Sequence, residues 1–140
     1  MLKRITMTAI AFFAVIFIGF SQDHNLTIVV KGADSDKGKM FIALSPNEAD
    51  YKKKEGAFKE AEASIVNGSA KHVFPVGAGT YAVKVFHDEN NNKELDTNFV
   101  GIPKESVGFS NNPSLMGMPS FSKVSFTVDG DKIITIKLKM

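Results

Sequence analysis

Short runs of β-branched and aromatic residues recur along most of the chain, and turn-forming residues separate them. Within each run apolar and polar residues tend to alternate, which is the period of a β-strand with one buried face. Runs at this spacing predict an all-β protein of about seven strands, built as a sandwich or a barrel. The predicted strands are Leu26–Val30, Lys39–Leu44, Glu62–Val66, Ala70–Val76, Thr80–Phe86, Lys123–Val128 and Lys132–Lys139.

The last two runs have the clearest alternation and predict a β-hairpin. A two-residue turn at Asp129-Gly130 would divide their apolar residues between two faces. A one-residue change of register moves every side chain to the other face, so we expect a three-residue turn, Asp129–Asp131, with Phe126 opposite Ile134.

One short helix is predicted between the second and third strands. Ser45 is a suitable N-cap, Pro46 suits the first helical position and Glu48 follows as in a capping box, with an end near Gly56. We expect this helix to lie on the surface.

Tyr81 follows a glycine-containing turn, a placement that fits either the tyrosine corner of immunoglobulin-like sandwiches or an ordinary core tyrosine.

A long segment without strand periodicity, Val100–Phe121, precedes the last two predicted strands. It contains three prolines, Pro103, Pro113 and Pro119, but also many apolar residues. Such a segment inside a small domain is unusual unless it is ordered or functional. We therefore expect an ordered loop that covers one side of the sandwich.

The N-terminus has the layout of a signal peptide. Lys3 and Arg4 precede an apolar run, Ile5–Phe20, that is shorter than the roughly 20 residues needed to span a bilayer. We expect cleavage before Gln22, which makes 1–21 a signal peptide and 22–140 a single sandwich domain. The protein is then secreted or periplasmic, with no membrane span after cleavage.

Composition narrows the function classes. Of the 17 Lys and Arg residues, two lie in the leader. The mature chain therefore has 15 basic and 15 acidic residues and a net charge near zero. A neutral chain lacks the basic character of nucleic-acid-binding proteins. The absence of cysteine excludes disulfides, thiol nucleophiles and Cys-based zinc sites. We expect a monomer that binds an unidentified protein or small ligand.

An oxygen-rich loop directly after the predicted strand Thr80–Phe86 is a candidate calcium site. Its side chains follow the D-x-[DN]-x-[DN] spacing of calcium loops, and calcium takes six to eight oxygen ligands. The candidate ligands are Asp88, Asn90, Asn92, Asp96 and, through its carbonyl, Glu94.

Two positions depart from the calcium pattern. Lys93 stands where the loop usually has glycine, which costs energy if that position needs a positive φ. Phe99 stands where a bidentate glutamate is expected, so Glu105 is a candidate for the missing ligand. The alternative is a polar turn in which asparagine supplies the turn conformations.

Other polar residues are candidates for catalytic or binding groups. His87 with Ser106 or Ser110 has the residue types of a hydrolase, but no nucleophile-elbow motif is present, so we expect a non-catalytic protein. Binding residues often lie on loops held by a rigid scaffold, so we expect exposed loop groups to bind the partner. These are Lys104, Glu105, Phe109 and Asn111, although Phe109 has the alternative of filling the core.

One long segment resembles a known family. The sequence GTYAVKVFHDENNNKELDTNFVGIPKESVGFSNNP at 79–113, with Pro119-Ser120-Phe121 before the penultimate strand, is similar to the bacterial domain of unknown function family 2141. The resemblance implies an exported single-domain protein with an immunoglobulin-like or transthyretin-like antiparallel β-sandwich, and implies no activity. Members usually show HDEN-x-NG-x-LD, so Lys93 occupies a glycine position of the family pattern.

Overall fold

Alternating apolar residues form strands that pack as two facing sheets, so the all-β sandwich expected from the sequence is confirmed. The computed structural model describes residues 23–140, and the expected leader and cleavage site lie outside them. The described residues form eight strands. They are β1 (His24–Lys31), β2 (Lys39–Ser45), β3 (Lys59–Ala63), β4 (Ser69–Val76), β5 (Gly79–Asp88), β6 (Val107–Phe109), β7 (Phe126–Val128) and β8 (Lys132–Lys137).

The first sheet has the strand order β4-β1-β8, and the second has the order β3-β2-β5-β6 with β7 also paired to β5. All these pairs are antiparallel except β1 and β8, which run parallel. This parallel pair departs from the purely antiparallel sandwich expected from the sequence. No hairpin joins β8 to β1, so a tight turn does not dictate their relative direction.

The core lies between the sheets and consists of the inward side chains of the alternating strands. It removes large aliphatic side chains from water, which is the main stabilising contribution to such a fold. Members with no exposed surface include Leu26, Ile28, Val30, Met40, Ile42, Leu44, Val83, Val128 and Ile136. A second cluster, Tyr51, Ala82 and Val124, packs against Phe109 and Phe121.

The predicted hairpin of the last two strands is wrong. Phe126 lies opposite Tyr81 of β5, whereas Ile134 lies opposite Ile28 of β1 in the other sheet. The turn Asp129–Asp131 therefore crosses from one sheet to the other. Two strands with matching apolar faces can bury them side by side in one sheet or face to face across a sandwich, and alternation alone does not distinguish these arrangements.

The two sheets are joined along one side. Val107 and Lys139 exchange two backbone hydrogen bonds, of 2.9 and 2.7 Å. Beside them the Asn112 amide donates to the Thr135 carbonyl at 2.9 Å and accepts from the Lys137 N–H at 2.8 Å. The Asn112 side chain thus takes the place of a neighbouring strand and covers part of the free edge of β8.

Strand order places the connections at two ends of the sandwich. The segments 32–38, 64–68 and 89–106 lie at one end, which we call the loop end. The segment 110–120 lies at the other, which we call the helix end. The long loop predicted at 100–121 is ordered as expected, but β6 divides it between the two ends.

Two short helices stand at the helix end, α1 (Glu48–Tyr51) and α2 (Phe121–Val124). The predicted capping serine is wrong, because Ser45 belongs to β2 and Asn47 caps α1 by accepting the Asp50 N–H at 2.8 Å. Helix α1 has one turn and ends at Tyr51, before the predicted end near Gly56. It buries Tyr51, so it is not purely a surface element.

No helix within 23–140 is long and apolar enough to cross a membrane.

Tyr81 forms the backbone contact of a tyrosine corner. Its hydroxyl donates to the Gly77 carbonyl, four residues upstream, at 2.8 Å, and its side chain is buried.

The third strand begins three residues before the predicted start at Glu62. The sequence signal is weak there, because alanines such as Ala61 and Ala63 form its inner face instead of large apolar residues.

Candidate functional site at the loop end

The oxygen-rich loop begins where β5 ends, and the first predicted ligand also shapes the loop. The Asp88 side chain is buried, and its carboxylate accepts the backbone N–H of Asn92 at 3.2 Å and of Lys93 at 2.9 Å. A carboxylate that accepts backbone N–H groups folds the chain back over itself, as in an Asx turn. Asp88 therefore fixes the path of the segment that carries the other predicted ligands.

The remaining predicted side chains converge on Asp96. Its carboxylate accepts from the Asn90 amide at 2.6 Å and from the Asn92 amide at 2.7 Å. The bond from Asn92, followed by that from Asn90, lowers the pKa of Asp96 below its usual value, despite the opposing effect of desolvation. The Asn92 side-chain oxygen Oδ1 accepts the Glu94 N–H at 3.0 Å, so the loop is closed by its own hydrogen bonds.

Glu105 follows the oxygen-rich loop in the sequence, and its side chain contacts that loop. Its side chain is buried, and its Oε2 accepts the Asp96 N–H at 3.2 Å. Burial raises the pKa of Glu105, and the negative charges of Asp96 and Asp88 raise it further, although the Asp96 N–H opposes them. The structure thus gathers three carboxyl groups, including the one that the sequence suggested as the missing ligand.

The structure shows a backbone cost at the position where the calcium pattern has glycine. Lys93 has a φ of 63°, in the left-handed region that glycine adopts most easily. Asn91 is also left-handed, with a φ of 54°, which asparagine tolerates better than most residues. The loop therefore has a glycine-like conformation at Lys93, although the residue there is lysine.

The arrangement as it stands is not a completed metal site. Within residues 23–140, no group of three or more His, Cys, Asp or Glu side chains is arranged to hold a metal ion. The amides of Asn90 and Asn92 turn their nitrogens, not their oxygens, toward Asp96. The loop supplies the hard oxygen atoms that calcium prefers, but most of them are in internal hydrogen bonds.

The loop rests on a close approach of the segment 32–38. Gly38 has a φ of 69°, and a Cβ built on it would lie 1.9 Å from the Asp88 carbonyl oxygen and 2.7 Å from the Glu89 Cα. Sequence reasoning missed this contact, because a glycine in a polar turn gives no sign of which backbone it meets. Only glycine leaves room for the backbone at the start of the oxygen-rich loop.

His87, the candidate base of a hydrolase, is buried beside this contact. Its ring nitrogens lie next to a backbone carbonyl and a carboxylate, not next to a serine hydroxyl. Its Nε2 lies 2.7 Å from the Lys37 carbonyl oxygen, and its Nδ1 lies 3.7 Å from a Glu89 carboxylate oxygen. Among the described residues, no hydrogen bond joins the His87 ring to a serine hydroxyl. Ser110, one candidate nucleophile, accepts the Val83 N–H at 3.0 Å and donates to the Val124 carbonyl.

The four residues expected to bind a partner do not share one surface. Lys104 is exposed at the loop end, and Glu105 is buried there against the oxygen-rich loop. Phe109 is half-buried, with its ring 6.5 Å from that of Tyr51 in an edge-on contact. The Asn111 amide donates to the carbonyls of Lys123 and Ser125, at 3.2 and 2.8 Å, and so ties β6 to α2.

A protruding turn beside the oxygen-rich loop was missed. Phe99 is fully exposed, and Val100 and Ile102 are 62% and 59% exposed. The expectation that the long segment covers one side of the sandwich is therefore wrong at Ile102, and also at Met116 and Met118, which are fully and 56% exposed at the helix end. The run Phe99-Val100-Gly101-Ile102, between Asn98 and Pro103 and without strand alternation, is the sequence signal for this turn.

Comparison with known proteins places the chain in a family. Residues 28–136, which include all but the margins of the sandwich, match the family described as Uncharacterized protein conserved in bacteria (DUF2141). The chain belongs to this family. No curated protein and no solved structure matches the chain. Membership in DUF2141 carries no activity with it, so functional inference depends on the geometry of the loop end.

Proposed function

We propose that this DUF2141 protein is an exported, non-catalytic β-sandwich that binds a ligand or partner at its loop end. In this proposal the segment 88–96 holds a calcium ion as part of the binding site. The signal-peptide layout of 1–21 supports export. The arrangement of the oxygen-rich loop supports the ion.

The observation that carries the calcium proposal is the gathering of three carboxyl groups. Asp88 and Glu105 are buried, and the charges of Asp88 and Asp96 both act on Glu105. Negative charges near the buried Glu105 carboxyl group repel its ionised form, and burial removes water that would otherwise screen them. A divalent cation bound beside these carboxyl groups would offset this repulsion, and that supports the calcium proposal, although the side chains of residues 23–140 as they stand are not arranged to hold a metal ion.

Calcium binding requires a local rearrangement of the loop. Asn90 and Asn92 must turn their amide oxygens toward the ion and release Asp96 from their nitrogens. These side chains are exposed, so the rotation needs no repacking of the core. A second candidate is an envelope-associated structural module in which calcium acts only as a stabiliser, and a loop closed by its own hydrogen bonds favours the structural part of this role.

Calcium is expected to raise the melting temperature of the mature protein. A ligand that binds the folded state and not the unfolded state raises the free energy of unfolding. The increase is about 2.7 kcal/mol when free calcium is a hundredfold above its dissociation constant. Calcium near 1 mM is a suitable range, because extracellular modules bind it at about 10⁻⁴ to 10⁻³ M. Differential scanning calorimetry with calcium and with a chelator measures the increment.

Glu105→Gln is the variant that tests the site. It is close to isosteric and removes one of the three charges, so without calcium we expect its melting temperature to equal or exceed that of the wild type. With calcium its increment should be clearly smaller. The matched control is Glu55→Gln, an exposed residue at the helix end, which should respond as the wild type does. The absence of any increment, or equal increments in all three proteins, would exclude calcium from this loop.

Export is tested separately. Expression in the native host should yield a mature N-terminus at or near Gln22, because signal peptidase removes the leader after a small residue such as Ser21. Intact-mass measurement of the purified protein gives the N-terminus. Recovery of the chain with Met1 in a membrane fraction would contradict this part of the proposal.

A further inference from the structure

Two methionines lie on the surface of the helix end, in the segment 110–120. Met116 is fully exposed and Met118 is 56% exposed, and only Gly117 separates them. Single exposed apolar residues are common on protein surfaces. Methionine differs from the others because it carries a thioether sulfur, which an oxidant reaches when the side chain lies in solvent. The chemistry of this sulfur, and not its packing, distinguishes the pair.

Oxidation of the thioether is a balanced two-electron step. A peroxide transfers one oxygen atom to the sulfur, its O–O bond breaks, and hydrogen peroxide is left as water. The sulfur is oxidised by two electrons, the peroxide is reduced by two, and the product is methionine sulfoxide. Methionine sulfoxide reductases remove the oxygen again at the expense of a thiol reductant. The sequence contains no cysteine, so methionine supplies the only sulfur groups that react with the oxidant.

Exposure divides the methionines within 23–140 into two classes. Met40 is fully buried in the core between the sheets, so an oxidant reaches it only when the fold opens. Met140 is 88% exposed and belongs to neither a helix nor a strand. Met116 and Met118 are therefore accessible in the folded protein, and Met140 provides a comparison that tests exposure alone.

The surroundings of the pair suit the oxidised form. Both methionines line a depression of about 280 Å³ at the helix end, together with Ser114, Ser120 and Lys123. A sulfoxide oxygen is polar and accepts hydrogen bonds, and hydroxyl and ammonium groups donate them. Among the residues that the structure describes, no Asp or Glu side chain forms an ion pair with Lys123. The depression thus supplies donors for the sulfoxide oxygens, including a positive charge without a carboxylate partner.

Oxidation of the pair leaves the anchoring of the segment in place. The Tyr51 hydroxyl donates to the Pro119 carbonyl at 2.9 Å, and the Asn112 amide donates to the Thr135 carbonyl at 2.9 Å. Neither bond involves a thioether, so a change at sulfur removes neither of them. The exposed side chains also lie outside the packed core, where a polar sulfoxide would be disruptive. The helix end therefore passes between the two states without unfolding.

We infer that Met116 and Met118 form a reversible oxidation site that reacts with peroxides. Oxidation changes the surface of the depression from apolar to polar, and the sulfoxide oxygens accept hydrogen bonds from Lys123 and from the serine hydroxyls. This inference goes beyond the proposed function, because the site lies at the helix end, shares no residue with the loop end and does not involve calcium.

Treatment of the folded protein with hydrogen peroxide, followed by peptide mass mapping, tests the reaction. We expect Met116 and Met118 each to gain one oxygen at least about tenfold faster than Met40, because exposure governs susceptibility. Met140 should react about as fast as Met116. The two sulfoxide reductases, one for each epimer, should then remove the oxygens in the presence of a thiol reductant. Oxidation of Met140 without the pair, or a pair that the reductases leave oxidised, would overturn the inference.

The melting temperature tests whether the depression holds the oxidised form. The measurements use the Met140→Leu background, in which peroxide changes the pair alone. Oxidation should raise the melting temperature by about 2 °C, the contribution of one weak hydrogen bond in a domain of this size. In Lys123→Ala the rise should be smaller, because the ammonium donor is gone. Lys54→Ala removes an exposed lysine that is also at the helix end, and this matched control should respond as the background does.

A double variant, Met116→Leu with Met118→Leu, shows whether the pair causes the shift. In the same background its melting temperature should not change with peroxide. A melting temperature that falls on oxidation, or equal shifts in Lys123→Ala and Lys54→Ala, would mean that two sulfurs are accessible but that nothing holds their oxidised form. Either result would reject the site.

Discussion

Replacing Gly38 by alanine should lower the free energy of unfolding by about 3 kcal/mol or more, the range of substitutions that force a backbone shift. The new Cβ would lie 1.9 Å from the Asp88 carbonyl oxygen, which is far closer than two atoms that are not bonded to each other can approach. The contact atom belongs to the backbone of β5, so no side-chain rotation relieves it. Chemical denaturation of the purified variant measures the loss.

Gly56→Ala is a matched control for Gly38→Ala. Gly56 has a φ of 70°, almost the same as Gly38, but a Cβ built there meets nothing within 4 Å. It should lose only the conformational cost of alanine in the left-handed region, about 1 kcal/mol. Similar losses for the two variants would show that backbone conformation, and not the contact with Asp88, makes Gly38 necessary.

The Gly38→Ala variant also reports on the loop end. If it folds, the displaced Asp88 backbone should disturb the bonds that Asp88 makes with Asn92 and Lys93. We then expect a smaller calcium increment than in Gly56→Ala. The segment 32–38 thus supports the oxygen-rich loop without contributing a predicted ligand.

Phe109→Ala is the second substitution with a large expected effect, a loss of about 3 kcal/mol, typical of removing a phenylalanine from packed surroundings. The Phe109 ring packs in the second cluster with Tyr51, Ala82 and Val124. The sequence left two roles open for it, partner binding or core filling, and this packing favours core filling. Denaturant unfolding at equilibrium gives the loss.

Phe99→Ala is the comparison for Phe109→Ala, because it removes the same atoms from a fully exposed ring. We expect a change within about 0.5 kcal/mol, as for surface substitutions generally. A small loss for Phe109→Ala would mean that its ring can leave the cluster at little cost, and would return it to the candidates for partner binding.

The segment after β5 shows how far local sequence predicts a site. The spacing of Asp88, Asn90, Asn92 and Asp96 predicts an oxygen-rich turn, and the structure brings these side chains together. This works because the bonds of an Asx-type turn join residues only two to six positions apart. Whether calcium occupies the turn stays a prediction.

Long-range contacts were harder to predict. The sequence suggested Glu105 as a missing ligand, but also grouped it with Lys104, Phe109 and Asn111 as one exposed surface. Strand β6 begins just after Glu105 and carries Phe109 toward the opposite end of the sandwich. Its three residues form a strand through pairing with β5, because so short a segment has little preference of its own.

The sequence by itself determined the all-β class, the approximate positions of seven strands, their inward faces and the oxygen-rich turn. Each is encoded by residues close together in the chain, through side-chain alternation or local hydrogen bonding. The predicted strand Lys123–Val128 was wrong in its first half, where Lys123 and Val124 belong to α2 and only Phe126–Val128 forms a strand. The tertiary structure decided that β7 and β8 lie in different sheets, that Gly38 meets Asp88 and that Phe99 stays in solvent. Alternation specifies that a side chain faces inward, but only the packing of the whole chain selects which distant residue it meets.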